Sequence, residues 1–367
     1  GETVLFRHEK TFVSKTRYAV SLCTCMSDEE VEAKLAEIPH VDYDRIGERM
    51  HVELVYVNCD ENADAAKFTA LVEKAKGLGR TLILGCTDPE IAKAALEVCK
   101  DGKPVLNGAN ASNYEAMSKV ATDAGVVLGV SGKDINELYD TTAAIEKLGN
   151  KNLVLDTTGA DIKETFANTV QVRRAALKDQ DRTFGYPSIV NLVKIAKGDL
   201  HLQAALASMF TMKYGSIIVM EQMTYAEALP LYGLRQNVYT DPQKPMKVEP
   251  GIYPLNGADE NAVVVTTVDF ALTYFVVSGE LERSGVPLNL VINDAGGLSV
   301  LTSWAAGKFS GNSISSYIKE NVEPKVKVAV LKGDLEAKLP GWEIIVGPRE
   351  AVQLVKFLKD LQADGQI

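Results

Sequence analysis

The stretch from Thr81 to Ser131, TLILGCTDPEIAKAALEVCKDGKPVLNGANASNYEAMSKVATDAGVVLGVS, repeats one unit: a short apolar run, a polar turn, then a helical pattern. TLILGC, PVLNG and VVLGVS have the length and apolar content of buried strands. Between them, DPEIAKAALEVCKDG and SNYEAMSKVATDAG carry helical spacing, and each stops at a glycine, as a left-handed cap requires. Moving outward, YAVSLCT, HVELVYVN, NLVLDTT, YPSIVNL and SIIVME bring the strands to eight. Eight strands alternating with helices predict a (β/α)8 TIM barrel over 18–238, with residues 1–17 as an extended N-terminal segment.

A chain of 367 residues exceeds the size at which one hydrophobic core stops growing, so a second domain is expected. The segment TDPQKPMKVEPGIYPLNGADEN has four prolines and no sustained apolar period, and we read 239–260 as a linker. Alternation then restarts with AVVVTT, FALTYFVVSGELERSG, PLNLVIND, VKVAVLKG, WEIIVGP and REAVQLVKFLKDLQ. This predicts a smaller Rossmann-like α/β domain over 261–367, whose ligand belongs at the carboxyl ends of its strands.

Composition narrows the function. With 46% hydrophobic and 24% charged residues the chain can bury a core, which excludes a disordered protein. The 49 acidic residues outnumber 39 basic ones, and a net charge of -10 opposes nucleic acid as a partner. No apolar run reaches the ~20 residues of a membrane helix, and GETVLFRHEKTF lacks a signal core, so no membrane and a cytoplasmic address are expected. The chain begins at Gly1, suggesting that something upstream was removed. Its five cysteines lie in the first hundred residues, and an odd number argues against a complete disulfide framework. Cys23 and Cys25 share a strand face and could converge on a metal, but the preferred reading makes them buried small hydrophobes.

The stretch NDAGGLSVLTSWAAGKFSG, Asn293 to Gly311, lies at a strand end of the second domain. Neither G-x-G-x-x-G nor G-x-x-x-x-G-K-[ST] fits it. A helix starting at Gly297 would put Leu298, Leu301, Ala305 and Phe309 on a sheet-packing stripe. Ser299, Thr302, Ser303, Ala306, Gly307 and Ser310 then form a small-residue stripe, which by spacing alone reads first as room for a neighbouring helix and which a broad flat body could also approach. Thr266 and Thr267, and the Gly347, Pro348, Arg349 turn, converge at the same level. Arg349 in a helix's first turn opposes the macrodipole, which either a bound anion such as a phosphate or a pairing with Glu350 or another acid would offset.

With these residues in view, GETVLFRHEKTF, LNGANASNYEAM, DTTGAD and NDAGGLSVLTSWAAGKF resemble the large (gamma) subunit of the corrinoid iron-sulfur protein across essentially the whole chain. The resemblance implies a methyl carrier of the reductive acetyl-CoA pathway. Co(I) would take a methyl group from methyltetrahydrofolate held by a methyltransferase, and methyl-Co(III) would pass it to acetyl-CoA synthase. It implies a cobamide against Thr267, Thr273, Gly297, Leu298, Ser299, Val300, Leu301, Thr302, Gly307 and Gly347, Pro348 and Arg349, with Thr302 nearest the lower face of cobalt. No catalytic side chain is implied, because the cobalt reacts. The partners implied are a small barrel subunit in a heterodimer, the methyltransferase and acetyl-CoA synthase.

The family pattern also begins with a domain holding a four-iron four-sulfur cluster, and this chain looks like a fragment without it. All four histidines, His8, His40, His51 and His201, precede residue 261, and D-x-H-x-x-G is absent, so a base-off, His-off cobamide is expected. Two alternatives are retained. A pterin-dependent methyltransferase barrel would use Asn58, Asn107, Ser131 and Asp156, although turn formation and helix capping explain these residues first. The other alternative is a scaffold subunit without cofactor.

Overall fold

The computed structural model describes residues 12–240, 246–310, 328–330, 344–346 and 351–366. The chain divides into two compact units, Gly1–Asp44 with Arg49–Tyr239, and Arg45–Glu48 with Thr240–Ile367.

The first unit is a closed parallel barrel. Its strands are β1 (Arg17–Cys23), then, after a hairpin of β2 (Asp42–Arg45) and β3 (Glu48–His51), β4 (Leu54–Asn58), β5 (Thr81–Gly85), β6 (Val105–Ala109), β7 (Val127–Val130), β8 (Leu153–Asp156), β9 (Ser188–Asn191) and β10 (Ile217–Met220). They pair in chain order, and β10 closes on β1 with Arg17 opposite Ile217. All eight barrel strands fall within the runs read from the sequence, save for a residue at some ends. The hairpin was not anticipated: HVELVYVN, read as one strand, contains the end of β3 and the whole of β4.

The helices are α1 (Asp28–Glu37), α2 (Ala65–Lys76), α3 (Pro89–Cys99), α4 (Tyr114–Ala124), α5 (Ile135–Lys147), α6 (Ile162–Lys178), α7 (Leu192–Ala196), α8 (Leu200–Met212) and α9 (Tyr225–Tyr239). Asp64, Asp88, Asp134, Asp161 and Asp199 cap five of them, each carboxylate accepting a first-turn amide.

Strand alternation assigns the two sides of the wall. Tyr18, Val20, Leu22, Val55, Val57, Leu82 and Leu84 face the helices in one continuous core. Ala19, Leu54, Tyr56, Ile83, Val154, Ile189 and Val219 fill the interior. The same parity sends Ser21, Cys23, Asn58, Asn107, Asp156 and Asn191 inward at the carboxyl-terminal mouth, where a barrel carries its chemistry.

In the second unit, β11 (Gly251–Leu255), β12 (Val263–Val268), β13 (Leu288–Asn293), β14 (Val328–Val330) and β15 (Ile344–Val346) form a sheet of order β11-β13-β12-β14-β15. All pairs are parallel except β11 with β13. Strand β11 lies inside the stretch read as a linker, so that stretch supplies an edge strand; Pro254 is tolerated there because an edge residue need not donate outward. The helices are α10 (Ala271–Ser284), the short α11 (Val300–Ala305) and α12 (Ala351–Ala363). Val263, Val265, Val277, Leu281, Leu288, Leu290, Leu354 and Leu358 make this unit's own core. Among the described residues no helix is long and apolar enough to cross a membrane.

Candidate functional site

At the carboxyl ends of β12 and β13, the apolar strands give way to polar side chains that stay buried. Thr266, Thr267 and Asp269 are fully buried and Asn293 nearly so. One Asp269 carboxylate oxygen accepts the amides of Ala295 and Gly297, both at 3.0 Å, and thereby holds the turn after β13. That turn needs glycine, because Gly296 and Gly297 have φ of +69° and +73°. Asn293 Nδ2 donates to Thr266 Oγ1 and to the Thr267 carbonyl.

Three side-chain oxygens in this cluster have no hydrogen-bond partner: Thr267 Oγ1, Asp269 Oδ2 and Asn293 Oδ1. The exposed ammonium of Lys247 stands 4.0 Å from Asp269 Oδ2, too far for a hydrogen bond. Buried acceptors are normally satisfied, so Asp269 Oδ2 and Asn293 Oδ1 at adjacent strand ends lack donors, while Thr267, in register with Ile292, turns its hydroxyl to the opposite face of the sheet.

Helix α11 departs from the expected phase. It starts at Val300 rather than Gly297, because two successive left-handed residues cannot be helical, and Ser299 caps it by accepting the Thr302 amide at 3.4 Å. Of the stripe assigned to sheet packing, Leu301 and Ala305 therefore do not pack, while Leu298 is half-buried. Leu301 is 73% exposed and Ala305 is exposed, whereas Ser303, from the small-residue stripe, is fully buried. Phe309 is buried as expected, with its ring centroid 6.4 Å from that of Trp304. The outer surface of α11 presents Leu301 and Thr302 side by side, and Gly307 ends the segment with φ +71°.

Of the residues singled out from the sequence, Thr267, Gly297, Leu298, Ser299, Val300, Leu301, Thr302 and Gly307 lie on β12 or along the turn and helix that Asp269 anchors. Thr273 sits half-buried in the first turn of α10. Gly347, Pro348 and Arg349 lie outside the described residues. Asp269 and Asn293 were missed, although a polar residue directly after an apolar strand, in TTVD and VIND, was the available signal.

At the barrel mouth the turn-and-capping explanation fails for Asn107 and is incomplete for Asp156. Asn107 Nδ2 donates to Asp156 Oδ2 at 3.0 Å and to Tyr56 Oη at 3.4 Å, making a buried interior network. Burial, with the nearby Asp156 carboxylate adding to it, pushes the Tyr56 phenol well above its ordinary pKa. Asp156 also accepts the Thr158 amide at 3.1 Å, and Ser131 bonds the Ala109 carbonyl at 3.3 Å, which are turn contacts as expected.

The cysteine expectation is corrected as well. Cys23 and Cys25 are joined in a disulfide, with Cys23 at the end of β1 and Cys25 exposed in the turn beyond it. Cys59, Cys86 and Cys99 are free thiols. Burial pushes the Cys86 thiol up to about 12 and that of Cys99 to about 11.

A barrel followed by a small α/β unit with a polar strand-end site defines a two-unit α/β protein. The chain belongs to the family described as the CO dehydrogenase/acetyl-CoA synthase delta subunit, whose model matches residues 1–358. It is 38% identical to the corrinoid/iron-sulfur protein large subunit of Moorella thermoacetica, over 98% of this chain and 82% of that one. It is 32% identical to the acetyl-CoA decarbonylase/synthase complex subunit gamma of Methanopyrus kandleri, over 98% and 81%. Among solved structures, the dihydropteroate synthase of Thermus thermophilus is similar with a TM-score of 0.45 and 16% identity, covering 60% of this chain and 93% of that one.

Proposed function

We propose that the chain is a corrinoid-dependent methyl carrier of acetyl-CoA synthesis, and that its cofactor seat is the strand-end site of the second unit. The observation that carries this reading is the pair of unsatisfied buried acceptors, Asp269 Oδ2 and Asn293 Oδ1, beside the double-glycine turn. A corrin ring is rimmed with carboxamides whose N–H groups are the donors such acceptors lack, and its broad face suits the exposed Leu301 and the small residues of α11. When bound, the corrinoid supplies a cobalt centre that receives and hands on a methyl group.

The chain's own residues do the holding. Asp269 fixes the Gly296–Gly297 turn, which brings backbone rather than side chain toward the ligand. Ser299 fixes the start of α11, and Thr302, exposed on it, is the residue assigned to the lower face of the cobalt. Residues 261–367 contain no histidine, so this domain offers no imidazole there. A cobalt centre held there without an imidazole donor would be more readily kept reduced for methyl uptake. Methyl groups would arrive from a methyltetrahydrofolate-dependent methyltransferase and leave to acetyl-CoA synthase, with a small barrel subunit as the heterodimer partner.

The test is cobalt content and an anaerobic ultraviolet-visible spectrum of the purified chain, before and after a low-potential reductant. A base-off Co(II) spectrum that converts to Co(I) is the expected result. No cobalt, and no uptake of added cobamide with the small subunit present, would overturn the reading. The buried Asn107–Asp156 pair favours a second reading, a pterin-dependent methyltransferase barrel, which gains only if the chain binds methyltetrahydrofolate without a methyltransferase.

A further inference from the structure

The Cys23–Cys25 bond closes a ring over a single residue, Thr24. So short a loop has little chain entropy to remove, and a cross-link there contributes least to stability. Nor does the turn depend on the bond. The Thr24 amide donates to the Asn58 carbonyl at 3.0 Å, the Asp60 amide to Thr24 Oγ1 at 2.9 Å, and the Met26 amide to the Cys23 carbonyl at 3.1 Å. A disulfide that the fold does not need, placed where barrels do their chemistry, calls for a chemical role.

The two sulfurs sit in unlike surroundings. Cys25 is exposed and lines a cavity of about 460 Å3 at the barrel mouth, together with the more buried Cys23 and with Asn58, Lys194, Lys197 and Glu221. Cys23 is 8% exposed, and its sulfur accepts the Cys25 amide at 3.1 Å and Asn58 Nδ2 at 3.6 Å. Two donors on one sulfur stabilise a thiolate there, and Lys194 and Lys197, outnumbering Glu221 in the cavity lining, favour approach of an anionic thiolate. The remaining mouth thiols do not compete. Cys59 and Cys86 donate to the Asp60 and Asp88 carbonyls, and burial raises the pKa of both, so they stay protonated and poorly nucleophilic.

We propose that Cys23–Cys25 is a thiol–disulfide exchange centre at the barrel mouth, reduced by a dithiol entering from the cavity. One thiolate of the dithiol attacks Cys25 Sγ. The Cys23–Cys25 bond breaks, and its electron pair leaves on Cys23 Sγ beneath the Asn58 and Cys25 donors. The second thiolate of the dithiol then attacks its own sulfur in the mixed disulfide and releases Cys25. Two electrons and two protons pass from the dithiol, which becomes a disulfide, to Cys23 and Cys25; an external disulfide reverses the step. Asn58 is a positioning residue for the leaving sulfur. This activity is independent of the corrinoid reading and requires no cofactor.

The experiment equilibrates the whole protein in graded mixtures of reduced and oxidised dithiothreitol, quenches with one alkylating label, reduces fully and applies a second. Peptide mass spectrometry should find Cys23 and Cys25 exchanging labels together and reversibly, with Cys59, Cys86 and Cys99 carrying only the first. In Asn58→Ala, reduction by dithiothreitol should slow about tenfold, the loss expected for one hydrogen bond to a developing charge. As a check that does not depend on that variant folding, Cys25→Ser leaves Cys23 as a thiol, whose alkylation should rise with pH at a midpoint below the ordinary cysteine value. The proposal fails if no Cys23–Cys25 bond forms in fully oxidised dithiothreitol. It fails equally if the bond joins other cysteines, or if the Cys23 midpoint lies at or above the ordinary value.

Discussion

Arg235 is the residue on which the amino-terminal end of the barrel leans. It is 3% exposed, ion-paired with Glu53, and donates to the Thr16 carbonyl at 2.9 Å. Its guanidinium carbon stacks 4.6 Å from the Tyr232 ring centroid. An arginine does not shed its charge, so removing Glu53's carboxylate strands a buried cation. Glu53→Gln is therefore expected to cost about 3–5 kcal/mol, read from the urea midpoint. Lys119→Ala, at a pair whose side chains are 75% and 65% exposed, should cost under about 1 kcal/mol. Equal small losses would show that burial adds nothing to the Arg235 pair. No sequence pattern announces this contact, since the partners lie 182 residues apart. Asp269 escaped notice for a related reason: its role is defined by amides on the far side of β13, which a linear reading does not bring near.

At the scale of elements, glycines decide whether strands and turns keep their register. A Cβ on Gly108 would run into the backbone oxygen of Cys86, at the point where the β6–β7 register shifts. Because backbone cannot swing aside, Gly108→Ala is expected to cost about 3 kcal/mol or more. Gly297→Ala forces an alanine into a left-handed φ of +73° and should cost about 1–2 kcal/mol, with circular dichroism at rest unchanged. Thermal melts of the two variants test that order, and a larger loss at Gly297 would contradict it. The barrel strands were legible because burial on both faces makes them continuous apolar runs. Hairpin strands DYDR and ERMH were not, being polar, and neither was β11 behind its prolines. The phase of α11 was misread because helical spacing alone cannot tell that Gly296 and Gly297 are left-handed.

At the scale of the molecule, each unit has a hydrophobic core of its own. Leu290→Ala, fully buried in the second core, is expected to cost about 2–5 kcal/mol and to lower one calorimetric transition while leaving the barrel's in place. A single transition that shifts as a whole would refute that independence. The eight-strand count, and with it the barrel, was readable because the same unit recurs; the strand-end stretch of the second unit was readable from its small residues, but the acceptors that distinguish it from a packing surface were not. Barrel closure also has a consequence for the order of synthesis. Strand β1 finds its second neighbour only in β10, and Val20 pairs with Met220. While the ribosome is still adding the intervening residues, β1 has one partner in β4 and one bare edge. A nascent chain stopped short of Met220 therefore carries an open, adhesive sheet, and chaperones have their reason to hold it until the last strand emerges.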